Sequence, residues 1–367
     1  MSLLHQIALT LVPQVGAVTA KLLATHCGGA EAVFQAKRSE LLKIPGIGAT
    51  VADALAKPSG PLAQAEREVA FVEKHRIEAL FFTDERYPNR LRQCHDSPAM
   101  LFFKGSSADL LGARRIVSIV GTRQPSEHGK AVCEEIVEGL KAYNALIVSG
   151  LAFGVDITAH RKASALDIPN IGVLGHGLSS IYPTQHRSAA LRMLENGGLL
   201  TEYISDAKPD REHFPMRNRI IAGMCDVIIV VETAQTGGSM ITADLAFQYD
   251  RTVLAVPGRP HDPKSAGCNL LIKNDKARLI ETATDLAYAM SWQAADKQQP
   301  VQLQLPIDLS AAERTLFGII QQRPEIPVDQ LTVEAQLSPG ELASTILALE
   351  FKGLVRTLPG KRYIVLG

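Results

Sequence analysis

The stretch FPMRNRIIAG, Phe214 to Gly223, sets Arg217 and Arg219 either side of Asn218 and directly ahead of an apolar run. Guanidinium suits phosphate: its planar fork pairs bidentately with an oxyanion and can lie flat on a base. A further arginine, Arg123, stands in GTRQPSEHG, where Ser126 is placed to cap a helix carrying Glu127 in its first turn. A helix N-terminus beside an arginine is a seat for phosphate. Two more turns are built from small residues. In SGLAFG, Ser149, Gly150 and Gly154 leave the chain bare ahead of Asp156, His160, Arg161 and Lys162, and in TGGSMIT, Gly237 and Gly238 expose amides beside the hydroxyls of Ser239 and Thr242. Any one such turn serves tight chain reversal, but three of them together with Arg123 and the Arg217 pair describe a polyanion or nucleotide crevice. Arg217 and Arg219 either clamp successive phosphates, or one of them makes a structural ion pair with an acid such as Glu232. Two helical steps separate them by about 200°, which turns Arg219 toward the sheet.

Catalytic equipment does not accompany these turns. Ser239 lacks a G-x-S-x-G elbow and an assignable base, Asp156 reads as a helix cap, and His160 reads as a packed helix residue. The G-x-G-x-x-G and G-x-x-x-x-G-K-[ST] phosphate motifs are absent. Five cysteines lie far apart, with no C-x-x-C pair and no histidine at ligand spacing, so neither a zinc site nor a disulfide framework is expected. The expectation is a binding crevice with no cofactor, no metal and no enzymatic activity.

The elements that must position these turns are legible between residues 78 and 290. The runs ALFFTD, RRIVSIVG, ALIVSG, NIGVLGHG, GLLTEY, DVIIVVE, TVLAVPG and ARLIET are nearly continuous in Val, Ile and Leu, as in strands buried on both faces, and helical periods lie between several of them. This predicts a doubly wound, mostly parallel, extended Rossmann-like α/β sheet, whose ligands bind at the carboxyl ends of the strands near a switch in strand order. Residues 1–65 read as a helical module with an internal repeat, VPQVGAVTAKLL and IPGIGATVADAL, similar to the helix-hairpin-helix element; its glycine turns either accept a DNA phosphate or only let helices approach. Residues 291–307 are polar and Gln-rich and read as a linker. Residues 308–367 read as three helices and a hairpin, a winged helix. Its third helix offers Glu341, Ser344, Thr345 and Glu350 with Lys352 alone at its end, which suits a protein contact better than a DNA groove. Lysines plus arginines equal aspartates plus glutamates at 38 each, so any polyanion site must be a local concentration of charge. No apolar run reaches membrane-spanning length and no basic leader precedes the N-terminus, so a cytoplasmic protein without membrane insertion is expected.

The motifs GTRQPSEHG, VSGLAFGVDITAH, GHGLSSIYP, LLTEY, FPMRNRIIAG, VVET, GGSMITADLA, VPGRP and GCNLLI resemble, in order and spacing over residues 78 to 285, the DNA-processing protein A family, also called Smf. The resemblance implies a central domain that binds single-stranded DNA in a basic pocket, forms a homodimer, and loads the RecA recombinase in natural transformation. It carries the family's phosphate-binding arginine onto Arg123, its basic segment onto Phe214 to Arg219, and its glycine turns onto Ser149, Gly150, Gly154, Gly237 and Gly238. Two departures stand out: Phe153 occupies a position where family members often carry a basic residue, and His186 one where asparagine is frequent. Phe153 is either core or a stacking face. A rival reading is an enzyme acting on nucleotides, because the fold also resembles nucleotide phosphoribohydrolases with P-G-G-x-G-T; the turn TGGSMITAD lacks that proline and second Gly-Thr but offers Asp244 as an acid. A third reading is a pure scaffold built on the winged helix.

Overall fold

Between Leu3 and His75 the chain forms six helices, α1 (Leu3–Leu11), α2 (Ala17–Cys27), α3 (Ala30–Gln35), α4 (Arg38–Leu41), α5 (Ala49–Leu55) and α6 (Ser59–His75), in a computed structural model that describes residues 2–294, 309–358 and 360–366. The internal repeat is structural. Gly16 and Gly48 are the N-caps of α2 and α5, and the repeated Ala20/Ala52 and Leu23/Leu55 are buried in one shared core. The turn before each helix needs a left-handed residue: Gly46 takes φ 85° in the second copy, and Gln14 takes φ 69° in the first. Lys21 of α2 ties this module to the next domain, donating to the His95 carbonyl at 3.3 Å and to Ser97 Oγ at 2.8 Å.

The central sheet has nine strands: β1 (Glu78–Phe81), β2 (Met100–Gly105), β3 (Ile116–Gly121), β4 (Leu146–Ser149), β5 (Asn170–Val173), β6 (Gly197–Thr201), β7 (Val227–Val231), β8 (Thr252–Ala255) and β9 (Arg278–Leu279). Their spatial order is β1-β2-β6-β5-β4-β3-β7-β8-β9, parallel from β6 to β9 and antiparallel at β1-β2-β6. Eight of these strands answer to the eight apolar runs; β2, from the run MLFFKG, is an addition. Between them lie α7 (Asn89–Arg92), α8 (Glu127–Leu140), α9 (Val155–Ala165), α10 (Arg187–Met193), α11 (His213–Met224), α12 (Gly238–Gln248) and α13 (Ala266–Lys273), and α14 (Ala283–Met290) follows β9. Helices cover both faces, so strands such as β7, VIIVV, are buried throughout and give two cores either side of the sheet. The chain winds from β3 through β4 and β5 to β6 on one side, then returns to place β7 on the other side of β3. Strand order therefore reverses between β3 and β7.

A winged helix follows: α15 (Ala311–Gln322), β10 (Ile326–Pro327), α16 (Val328–Ala335), α17 (Pro339–Phe351), β11 (Val355–Leu358) and β12 (Arg362–Val365). Of the expected linker, residues 295–307 lie outside the described residues. On α17, Glu341 closes a capping box with Ser338, and Lys352 just beyond pairs with Glu313 at 2.6 Å. The domain docks through a buried ring of charge. Arg362 bridges Asp226 and, at 2.6 Å, Glu325, while Arg90 donates Nε to Asp226 at 2.7 Å. Burial works against the Asp226 charge, yet Arg90, Arg362 and the Ile116 amide together hold its carboxyl below the usual range. Among the described residues no helix is long and apolar enough to cross a membrane.

Candidate nucleic-acid interface

At the carboxyl ends of β3 and β7, where strand order reverses, the three expected turns converge on a cleft of about 560 Å³. The β3–α8 turn brings Gly121, Thr122 and Arg123; the β4–α9 turn brings Ala152 and Asp156; the β7–α12 turn brings Thr233, Ala234, Gly237, Gly238, Ser239 and Thr242. The first turns of α11 add Phe214, Pro215, Arg217 and Asn218, and the preceding segment adds Arg211. Three guanidinium groups face a single carboxylate across this cleft.

Arg123 is exposed and turns on a tight local geometry. Gly154, the N-cap of α9, takes φ 83°, and a Cβ there would collide with the Thr122 carbonyl and stand 2.6 Å from Arg123 Cα. Only glycine lets these two loops touch. Ser126 caps α8 as expected, accepting from the Gly129 amide at 3.0 Å. Its own amide and hydroxyl are donated to Glu232, the amide at 2.7 Å. Glu232 is thereby engaged at the start of α8 and is not the arginine partner that the sequence suggested.

Arg217 is only 5% exposed and is both structural and cleft-facing. Its Nη1 donates to the carbonyls of Gly150, at 2.6 Å, and Val173, joining the ends of β4 and β5. Its Nε reaches Asn218 Oδ1 at 3.2 Å, while Nη2 makes no hydrogen bond among the described residues. A Cβ on Gly150 would stand 2.5 Å from that Nη2 and 2.6 Å from Asp156 Oδ2, so this glycine is required by the close approach. Burial lowers Arg217 to about 10, opposed by the Asp156 charge. Asp156 is not the N-cap of α9: its carboxylate accepts the amides of Gly150 and Ala152 at 3.1 and 3.3 Å, and burial raises it.

Five expected site residues, Ser149, Gly150, Gly154, Lys162 and Arg219, are not brought to the cleft wall. Arg219 is 7% exposed and bidentate with Glu202, at 2.6 Å for each bond, because its helical position faces the β6 segment. Lys162 lies on the outer face of α9, paired with Glu138 at 2.7 Å. Ser149 is fully buried in β4, donating to the Ile119 carbonyl at 2.5 Å. Gly150 and Gly154 shape the loops behind the cleft rather than line it. Ser239 donates to Thr233 Oγ1 at 2.7 Å, with no histidine in the lining. Asp244 points to Lys276 at 2.7 Å, away from the cleft. His160 is a packed residue, fully buried, its Nδ1–H donated to Asn170 Oδ1 at 2.9 Å. Burial pushes it down to about 4. Burial also raises the thiols of Cys133 to about 12 and Cys225 to about 11, which leaves them unreactive.

Sequence reasoning missed Arg211 and Tyr182. Tyr182 is 48% exposed with its ring 5.9 Å from Phe214, and Phe153 is 43% exposed with its ring edge-on to His186 at 4.7 Å. Phe153 is therefore a surface ring and not core. The signal for Tyr182 was its place in GHGLSSIYP, directly after β5, whose carboxyl end adjoins that of β4.

The family described as DNA recombination-mediator protein A matches residues 78–291, a DprA winged helix domain matches 300–361, and a helix-hairpin-helix motif matches 7–57. The chain is 37% identical over 220 residues to the DNA processing protein DprA of Bacillus subtilis, covering 60% of this chain and 73% of that protein. It is 31% identical over 316 residues to Protein Smf of Escherichia coli, covering 82% and 81%. Among solved structures, DNA processing protein A from Streptococcus pneumoniae superposes with a TM-score of 0.64 at 29% identity, covering 80% of this chain and 99% of that one. The Helicobacter pylori protein, whose single-stranded DNA binding mode was the subject of its structure, gives 0.54 at 30% identity, covering 59% and 98%.

Proposed function

From the premise that this chain belongs to the DNA recombination-mediator protein A family, we propose that it binds single-stranded DNA in the β3–β7 cleft, protects it, and hands it to the RecA recombinase during natural transformation. The observation that carries this reading is the convergence of Arg123, Arg211 and the unbonded Nη2 of Arg217 on one cleft edged by exposed aromatic rings. Guanidinium groups meet the phosphates, and Tyr182, Phe214 and the nearby Phe153 offer faces to unpaired bases, a combination that favours single strands over duplex. The role is binding rather than catalysis. The one carboxylate of the cleft is occupied by two backbone amides, which supports that reading over nucleotide hydrolysis.

The test is titration of the full-length protein with a labelled oligothymidylate across a salt series, with a duplex of equal length as competitor. Single-strand affinity should fall steeply with salt through counterion release, and the duplex should compete poorly. Equal competition by duplex, or release of free base from nucleoside monophosphates, would count against the proposal. A homodimer is part of it. β9 ends the sheet, both of its residues are exposed, and Leu279 on it is 49% exposed, an edge that a second copy would cover. Light scattering showing only monomer at micromolar concentration would remove the dimer. Capture of RecA by the DNA-loaded protein tests the hand-over, and a cytoplasmic location goes with it.

A further inference from the structure

Two segments frame the open side of the cleft: residues 174–183 after β5, which carry Tyr182, and residues 202–212 after β6, which carry Arg211 and run into Phe214. Neither is held by the central sheet alone. Glu68 of α6 is 5% exposed, on the same helix face as the buried Ala65 and Val72, and points away from its own module's solvent surface. Its carboxylate accepts the Ser205 amide at 2.9 and 3.0 Å and the Ser205 hydroxyl at 2.6 Å. Leu178 and Ile204, one from each segment, pack against the apolar core of the N-terminal module. The two segments are joined to each other backbone to backbone. The Gly177 amide donates to the Ala207 carbonyl at 2.9 Å and the Ser179 amide to the Ser205 carbonyl at 3.2 Å. A Cβ on Gly177 would collide with the carbonyl oxygens of Ile204 and Ser205. On the near side, His176 donates Nδ1–H to Gly177 O at 2.8 Å and accepts the Tyr182 amide on Nε2 at 3.2 Å. An unbroken series of bonds thus runs from Glu68 through Ser205 and the Gly177 turn to Tyr182.

We propose that Glu68 is a positioning residue for the DNA cleft, and that the N-terminal helical module acts on single-stranded DNA by holding the Tyr182–Phe214 aromatic rim in place rather than by touching the strand. This rests on the reading of the cleft as a single-strand site. A carboxylate suits the task because it accepts three bonds at once and keeps a loop backbone from opening to water. The module then supplies rigidity to a rim that the sheet, ending at Thr201, cannot reach.

The experiment is a double-mutant cycle in the full-length protein, with oligothymidylate affinity and thermal melting measured on each variant. Tyr182→Ala should weaken binding about tenfold, the size of one lost base–aromatic stack. Glu68→Ala should weaken it by a similar factor although it touches no nucleotide, and Glu68→Ala with Tyr182→Ala should bind no worse than Tyr182→Ala alone. Glu68→Gln, which keeps one acceptor and the side-chain shape, should recover part of the affinity, and it takes the place of Glu68→Ala in the cycle if that variant does not fold. Wild-type affinity in the Glu68 variants, or losses that multiply in the double variant, would overturn the inference. The Arg123→Ala protein separates the two proposals: if it and Tyr182→Ala weaken binding while the Glu68 variants do not, only the positioning role fails, and if none of them does, the cleft itself is misassigned.

Discussion

Arg123 and Arg217 reach the same cleft by different means, so truncating them removes different things. Arg123 is exposed and its side chain makes no hydrogen bond among the described residues; Arg123→Ala should leave melting unchanged while lowering the slope of log affinity against log salt by ~0.7, the share of one phosphate on a single strand. Arg217→Ala should do more damage. It leaves the carbonyls of Gly150 and Val173 without their donor and Asp156 without its facing cation, a loss of roughly 3 kcal/mol in stability together with weaker binding. A melting temperature equal to wild type for Arg217→Ala would show that its buried bonds are dispensable. The 200° between Arg217 and Arg219 was readable from helical geometry and turned Arg219 toward the sheet, yet Arg219 was still expected to hold a phosphate, and the structure pairs it with Glu202 instead. The identity of its partner was not readable, because Glu202 and Glu232 both follow strands and only the three-dimensional order of β6 and β7 decides which faces α11. His160 gives a pH test. Its folded value near 4 lies below the ordinary 6.5, so the unfolded chain takes up the proton first and stability falls as pH drops from about 6.5 toward 4, by about 3 kcal/mol over the full window. Melting curves at pH 7 and pH 4.5 should show this loss in wild type and a smaller one in His160→Gln.

At the scale of elements, the cleft depends on strand-to-helix turns whose glycines do unequal work. Gly238 has open space where a Cβ would stand, whereas Gly154 has none and a left-handed φ besides. Gly154→Ala should therefore push the Thr122–Arg123 loop away and weaken single-strand binding as strongly as Arg123→Ala does, with no charge removed; Gly238→Ala should bind as wild type. Comparable affinity for both alanine variants would mean that the Arg123 loop adjusts freely. These turns were legible because glycine, serine and arginine at strand ends mark them directly. The parallel strands were legible because burial on both faces forces continuous apolar runs. β2 was not, although MLFFKG is as apolar as its neighbours, since nothing local tells an antiparallel strand inserted between β1 and β6 from a loop that packs on the core. The rim loops were equally opaque: Glu68 and Ser205 are 137 positions apart, and no spacing rule connects them.

The whole molecule keeps its two flanking domains on separate duties. Helix α6 of the N-terminal module grips the segments that frame the cleft, at the carboxyl ends of the strands, whereas the winged helix docks on Asp226, which immediately precedes β7 at the opposite end of the sheet. The five residues of β7 alone span about 16 Å, so the ring of charge lies farther than that from the turn at Thr233. A charged ring at this distance cannot shape the cleft through contact, and its two cations and two anions largely cancel, which leaves little direct field from it. Docking and strand binding should therefore be separable. The combined change Glu325→Ala with Arg362→Ala removes the winged helix's half of the ring while Arg90 and the Ile116 amide still satisfy Asp226, so the central domain keeps its buried charge paired. The expected outcome is a larger radius of gyration in small-angle scattering, from a winged helix that has left its seat, with oligothymidylate affinity within about twofold of wild type. A tenfold loss of affinity in a protein whose scattering shows the released domain would place the winged helix in the binding reaction itself. An unchanged radius of gyration would show instead that the apolar part of the contact holds the domain down without the ring, since the pairing of three buried charges with the half-buried Glu325 adds little net stability once their desolvation is counted and serves chiefly to fix where the domain sits.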